Sequence, residues 1–531
     1  MKCYKTLLLL TFCSLLAACG KPQLSPAPTA TVQVASTQPA ASGTAEAQPA
    51  TTDMPTASPQ ASATAQATPE LDPSEYYVVD RNGLKGVVNG LGSVLLPCAY
   101  SSVDILQWTD TDGKAAGDPV FIAVPAQPTN ETGVKKANGI LCNVEGKQIP
   151  GGSFLYAWPA GRDILRVTKR TQAGYDLTGI LTFAGETVVP CKYYDVFLYD
   201  GGFAAVAHDP PTSEGSFVRT DIYSHEGKIV RSGKQEIRSA EGRLLLAYDG
   251  KTGKVGLMDD RFNWVIPAQW DWLYAAGESY VTQSGGKYGL LDGEGNVKLA
   301  ARYNGIEAQL NDGELAIVAW ADDGVALYDG EGNALFQSAD YRQLRYDGGV
   351  LFATDKSGRM HALDLLGKEL LPPASYIFQV RDYGLFGYSI ESKPYALFYT
   401  REGKKLPLPD AESIQCIDPD RFIVAQQGPQ GYAYGLCDSQ GNEVAPARYA
   451  TMNPLDRDRL IVFGRSEGKD GPVKFGLMDY DGNILLDAQY DSLWGAPNQN
   501  LLYAQAGPFN GLIDRKGNWV WSSSAYDVLD D

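Results

Sequence analysis

The sequence predicts an all-β fold assembled from one repeated unit. Three observations lead there. A short segment of hydrophobic, glycine and aspartate residues recurs at regular spacing. Turn-forming residues punctuate the chain throughout, and no stretch reads as an amphipathic helix of about ten residues or more. The 57 glycines and 30 tyrosines among 531 residues suit a turn-dense β protein.

The best copies of the unit are Tyr288-Gly289-Leu290-Leu291-Asp292-Gly293-Glu294-Gly295-Asn296, Tyr434-Gly435-Leu436-Cys437-Asp438-Ser439-Gln440-Gly441-Asn442 and Phe475-Gly476-Leu477-Met478-Asp479-Tyr480-Asp481-Gly482-Asn483. Weaker copies start near Gly86, Gly139, Gly179, Asp221, Gly256, Ala326, His361, Ala396 and Gly511, which makes about twelve units. From Gly256 onward they recur every 33 to 41 residues. In each, a short apolar run reads as a strand. The Asp and Gly that follow read as a tight turn, because Asp bonds the backbone two residues on and Gly accepts positive φ. A second strand often ends in Pro, as in Val188-Val189-Pro190, Val265-Ile266-Pro267 and Leu370-Leu371-Pro372. An aromatic-Asp pair follows, as in Tyr194-Asp195, Trp270-Asp271, Tyr490-Asp491 and Tyr526-Asp527.

This pattern resembles the WG-repeat family, whose motif is aromatic-Gly-aromatic-hydrophobic-Asp, a Gly turn, a hydrophobic-Pro strand and an aromatic-Asp pair. The likeness spans most of residues 76–531. It departs in one way: Tyr, Phe or Val stands for the name-giving Trp, and several copies lose the Gly. The resemblance implies a repeat architecture and says nothing of activity.

Such a unit cannot cover its own apolar faces and must stack on neighbours, in a ring or a line. The orphan strand Tyr76-Tyr77-Val78-Val79 precedes the first unit, and the last unit stops after Tyr526-Asp527-Val528-Leu529. The orphan strand is therefore expected to complete the last blade, which favours a β-propeller. Propellers usually have four to eight blades, so the expectation is two rings of about six, over residues 74–310 and 311–531. One large ring or an open β-solenoid is the alternative.

The N-terminus carries different instructions. Lys2 and Lys5 precede an apolar run, Leu7 to Leu16, too short to span a bilayer. Leu16-Ala17-Ala18-Cys19 follows and resembles the bacterial lipobox. That resemblance implies removal of residues 1–18 as a signal peptide and diacylglycerol transfer to Cys19, usually with N-acylation such as palmitate. Two or three acyl chains anchor stably where one does not. The expected location is the extracytoplasmic face of a cell membrane. Residues 19–73, rich in Pro, Ala, Ser and Thr, read as a disordered tether that lifts the body off the membrane.

Composition excludes several functions. A net charge of −18 repels nucleic acid and anionic lipid. Of eight cysteines, Cys3 and Cys13 fall in the signal. Cys98, Cys142, Cys191, Cys416 and Cys437 are scattered; Cys98 and Cys191 share one slot of two repeats and read as a small buried hydrophobe, with one disulfide left open. His208, His225 and His361 lie in different units, and no metal-ligand spacing appears, so neither a metal nor a cofactor is expected. The recurring Asp259, Asp292, Asp329, Asp364, Asp438, Asp479 and Asp514 read as turn residues. No catalytic residue stands out. Asp110-Thr111-Asp112-Gly113 and Asp456-Arg457-Asp458 only faintly resemble calcium loops.

The candidate binding surface is aromatic: Trp270, Trp272 and Tyr274 alternate along one strand face, with Trp264 nearby, and Trp519 and Trp521 repeat the pattern. The favoured reading of these rings is burial as inter-blade packing; exposed, they would stack on sugars or anchor a protein. Insertions at 107–137 and 207–219 are further candidates. The expected function is a non-catalytic binding or scaffold module for a protein or an envelope glycan. The alternatives are a propeller-type glycoside hydrolase or lyase acting on cell-wall or extracellular polysaccharide, its carboxylates gathered at a ring centre, and a transporter's solute-binding lipoprotein. The absence of alternating βα units argues against the last.

Overall fold

The computed structural model describes residues 71–524, except 110–114, 127–137, 312–313, 375, 381–382, 389–395, 429–430, 456–458, 467, 469–470 and 496–498. The signal, the lipobox with Cys19, the tether up to residue 70, both faint calcium-type loops and Tyr526-Asp527 lie outside the described residues.

Every named element among the described residues is a strand, and the 45 strands described form eleven antiparallel meanders. We number these sheets 1 to 11 in chain order: residues 76–154, 156–193, 195–233, 236–270, 272–303, 305–338, 341–374, 376–399, 413–449, 451–490 and 492–524. Sheet 1 has six strands, sheet 8 has three and the others four. No helix among the described residues is long and apolar enough to cross a membrane.

The core lies between sheets. Sheets 5 and 6, for example, bury Val281, Leu290 and Leu299 against Ile306, Ile317 and Ala319. Equivalent clusters join each sheet to the next along the chain. Within sheet 1, Val94–Thr109 runs unbroken through two packing layers. Val87 and Leu96 on one side pack on Val103, Phe121 and Ala123 on the other, so this sheet folds upon itself.

The two ends meet. Tyr77, Val79 and Val88 of sheet 1 pack on Leu501 and Leu512 of sheet 11. The Leu501 N–H donates to Tyr77 Oη at 3.0 Å and Ser523 Oγ donates to the Asp80 carbonyl at 2.8 Å. The body is therefore a β-propeller of eleven blades in one large ring, the first blade being six-stranded. Two expectations are corrected here. There are not two rings of about six, because sheet 5 packs on sheet 6 like any other pair. Nor does the orphan strand join the last blade by hydrogen bonding: Tyr76–Arg81 pairs with Leu84–Asn89 and closes the ring by face packing instead.

The repeat motif explains the local geometry. In sheet 5, Tyr288 pairs with Tyr303 but Leu290 pairs with Leu299, so two steps on the third strand face four on the fourth. That wide bulge recurs in sheets 1, 2, 4, 9 and 10. It brings fourth-strand backbone directly over the motif glycine: a Cβ on Gly289 would sit 2.7 Å from the Leu299 carbonyl oxygen. It also tolerates Pro267 and Pro190, which have no N–H to give a ladder.

Candidate functional site

The recurring aspartates are committed to structure. Asp292 Oδ1 accepts the Glu294 N–H at 3.0 Å and the Asn296 N–H at 2.8 Å, and its Oδ2 accepts Asn296 Nδ2 at 2.8 Å. Asp259, Asp329, Asp438, Asp479 and Asp514 repeat the arrangement, and Asp364 repeats its backbone half. The Asn296 amide and the surrounding N–H groups hold the Asp292 carboxyl below its ordinary range. The aromatic-Asp acids act between blades. Asp271 takes Lys254 Nζ of sheet 4 at 2.5 Å and the Gly285 N–H of sheet 5 at 2.7 Å; Asp491 does the same with Lys474 of sheet 10 and Gly507 of sheet 11.

The histidines are dispersed. His361 lies between Glu369, 2.6 Å from Nδ1, and Asp355, 3.4 Å from Nε2. His208 Nδ1 sits 3.0 Å from the Thr212 carbonyl within the 207–219 hairpin. No group of three or more metal-ligating side chains occurs among the described residues. The five described cysteines are free, and burial pushes the Cys416 and Cys437 thiols up to about 12, well away from reactive thiolates.

The aromatic candidates divide. Trp264 and Trp272 are exposed, at 41% and 51%. Trp270 and Tyr274 are half-buried between sheets, Tyr274 donating to the Ile306 carbonyl at 3.4 Å. Trp519 and Trp521 are half-buried at the sheet 10–11 and sheet 11–1 contacts. The Trp270-Trp272-Tyr274 alternation thus places one open ring beside two packed ones. The periodic reading missed other exposed rings on first strands: Tyr156 and Trp158 of sheet 2, Tyr376 of sheet 8 and Trp494 of sheet 11, while Trp320 and Tyr432 are exposed on the second strand of sheet 6 and the third of sheet 9. With Trp272 of sheet 5 the first-strand rings fall on every third sheet. Two of them have a neighbour against one face: Arg166 lies over Trp158 at 5.3 Å, and Trp494 stacks on Tyr503 at 4.1 Å.

A second constellation appears where the fourth strand lacks its wide bulge opposite the motif glycine's position. In sheet 3, Asp221 takes that position and pairs directly with Ser232; in sheet 6, Ala326 takes it and pairs directly with Gln337. Two residues on, both sheets place a tyrosine, Tyr223 or Tyr328, where other copies carry Leu291, Met258 or Met478. Each meets the last tyrosine of the preceding sheet. The Tyr193–Tyr223 and Tyr303–Tyr328 hydroxyls are both 2.7 Å apart, with edge-on rings at 6.0 and 6.1 Å.

Around Asp221 the slot is full. Its carboxylate, 2% exposed, accepts Tyr193 Oη at 2.7 Å, Ser232 Oγ at 2.6 Å and Arg219 Nε at 3.0 Å. Burial pushes this carboxyl up, and the bonds from Ser232, Arg219 and Tyr193 more than reverse that, leaving it below its ordinary value of 3.8. Around Ala326 lies a cavity of about 230 Å³, lined by Arg302, Tyr303, Tyr328, Gln337 and Asp323. Arg302 Nη2 reaches Tyr303 Oη at 3.1 Å and Gln337 Nε2 reaches Tyr328 Oη at 3.2 Å.

A WG containing repeat matches the chain at residues 184–209 and 475–505, so the repeat type read from the sequence is present at both places. No curated protein matches the chain. Similar solved structures include a eukaryotic initiation factor (8% identity, 85% of this chain and 96% of that one, TM-score 0.32). Others are BamB from Moraxella catarrhalis (14%, 52% and 91%, 0.23) and the WD40 β-propeller domain of Doa1 (15%, 44% and 88%, 0.19). At these scores the likenesses carry no functional argument.

Proposed function

We propose that the protein is a lipid-anchored, extracytoplasmic binding or scaffold module, without catalysis, that docks a protein or an envelope glycan on its propeller. One observation carries this reading. The recurring acids are bound up in turns and inter-blade contacts, while exposed aromatic rings recur on first strands at every third sheet. Rigid aromatic faces of this kind supply stacking surface for sugars and anchoring surface for proteins. Anchoring rests on the lipobox ending at Cys19, and reach rests on the tether to residue 73.

The test is crosslinking in intact cells with the full lipidated chain and with a Trp272→Ala, Trp494→Ala double variant. The reading expects a partner captured by the parent and depleted at least about tenfold in the variant, since hot-spot aromatics contribute about 2 kcal/mol each. Undiminished capture by the double variant overturns the docking surface. Cys19→Ser is expected to release the protein from the membrane fraction; retention there overturns the anchor.

A further inference from the structure

We propose that the slot between sheets 5 and 6 binds a carboxylate, the group of a small acid occupying the place that the Asp221 side chain occupies between sheets 2 and 3. The proposal stands whether or not the first-strand aromatics dock a partner.

The internal comparison carries it. Sheets 3 and 6 depart from the other blades together: a direct pairing in place of the wide bulge, a side chain in place of the glycine, and a tyrosine two residues on. In the bulged sheets, fourth-strand backbone fills the space over the glycine, as the 2.7 Å approach at Gly289 shows. Sheet 11 also pairs directly but keeps Gly511 and closes over it with the Trp521 carbonyl, whereas sheets 3 and 6 carry a side chain at that position. Sheet 3 fills it with a carboxylate. Sheet 6 offers only a methyl group, and the cavity of about 230 Å³ follows.

The polar atoms around the two slots are matched. Gln337 stands where Ser232 stands, each directly opposite the substituted position, and each brings a donor. The tyrosine pair is retained with the same spacing. The cation differs in origin: Arg219 lies on the third strand of sheet 3, whereas Arg302 enters from the fourth strand of sheet 5 and lies over the Tyr303 ring at 4.9 Å.

A count of donors gives the sign of the ligand. The two hydroxyls hold two hydrogens, and their mutual bond uses one. In the full slot the remaining hydrogen goes from Tyr193 to Asp221. In the open slot Arg302 Nη2 reaches Tyr303 Oη and Gln337 Nε2 reaches Tyr328 Oη, and Ala326 stands where Asp221 stands in the full one. A guanidinium, an amide and a hydroxyl therefore face one cavity, where Ala326 supplies no counterpart of the Asp221 carboxylate. A carboxylate meets all three with charge-assisted bonds. Asp323 on the same lining opposes any anion, so the three donors must outweigh it. The volume lies below the roughly 300–1,000 Å³ of pockets for drug-sized ligands and suits a small acid.

The experiment titrates the full chain with acetate, D-glucuronate, D-glucose and inorganic phosphate, followed by NMR or calorimetry. Acetate alone marks a free small acid, and tighter binding of glucuronate marks a sugar acid; either supports the proposal. Glucose is expected not to bind. Arg302 is exposed, so Arg302→Gln leaves the fold intact and is expected to weaken the acid at least about tenfold. Ala326→Asp writes the sheet 3 arrangement into sheet 6 and is expected to abolish binding. Phosphate binding more tightly than either acid, no binding of either acid, or affinity unchanged in Arg302→Gln overturns the proposal.

Discussion

The contacts between sheets 2 and 3 and between sheets 5 and 6 are built on one plan, yet one is closed and the other open. Both carry the tyrosine pair and a donor directly opposite the substituted glycine. They differ at Asp221 against Ala326, in the donor opposite, Ser232 against Gln337, and in the origin of the cation, Arg219 against Arg302. The difference teaches that losing the glycine does not simply erode the repeat. In these two sheets it goes with a direct pairing, and the place beside the tyrosine pair is filled by a carboxylate in one and open in the other.

The comparison can be broken most strongly at Asp221. Asp221→Ala strips a buried acceptor from Tyr193, Ser232 and Arg219, and is expected to cost about 3 kcal/mol in denaturant unfolding. The corresponding change in the open slot, Ala326→Gly, should cost no more than about 1 kcal/mol. Equal losses at the two positions would show that Asp221 is not the keystone of its slot.

A bulged sheet supplies the next contrast. Gly289→Ala drives a Cβ against the Leu299 carbonyl and is expected to cost about 2 kcal/mol, although Ala326 already occupies the same motif position in sheet 6. A neutral Gly289→Ala would mean that the bulge does not dictate the glycine.

Acid should separate the slots too. The carboxyl of Asp221 is held below 3.8 in the folded protein, so its contribution is complete above that value and is lost as pH falls through the depressed one. Unfolding monitored below pH 4 should show a component that disappears in Asp221→Asn. The smallest effect belongs to the exposed inter-blade acids. Asp271→Ala should lower the melting temperature less than any change above, and the difference should shrink in high salt.

Much of this was legible in the sequence. The recurring Asp-x-x-Gly-Asn segments announced turns, and those turns have the expected bonds at Asp292, Asp438 and Asp479. The absence of helices followed from the same rhythm. Ring number was not legible, because it depends on the angle between packed faces, which no local motif encodes. Strand Tyr76–Arg81 looked like a partner for the last blade by its position in the chain, but its pairing is with its own hairpin neighbour. The slots were half legible. The copies at Asp221 and Ala326 stood out as eroded. Their shared signal, a tyrosine two residues beyond the lost glycine, gains meaning only once the preceding sheet brings Tyr193 or Tyr303 against it. Trp270 and Trp272 illustrate the same limit: adjacent in the pattern, one is half-buried in an inter-sheet core and the other open to solvent.

The most direct measurement is the rise in melting temperature that acetate gives, relative to chloride at equal ionic strength, in three full-length chains. If the two slots are one carboxylate holder in two states, Asp221→Ala should gain most, the parent chain less and Ala326→Asp least, because they carry two, one and no open slots. The same rise in all three chains would contradict that account.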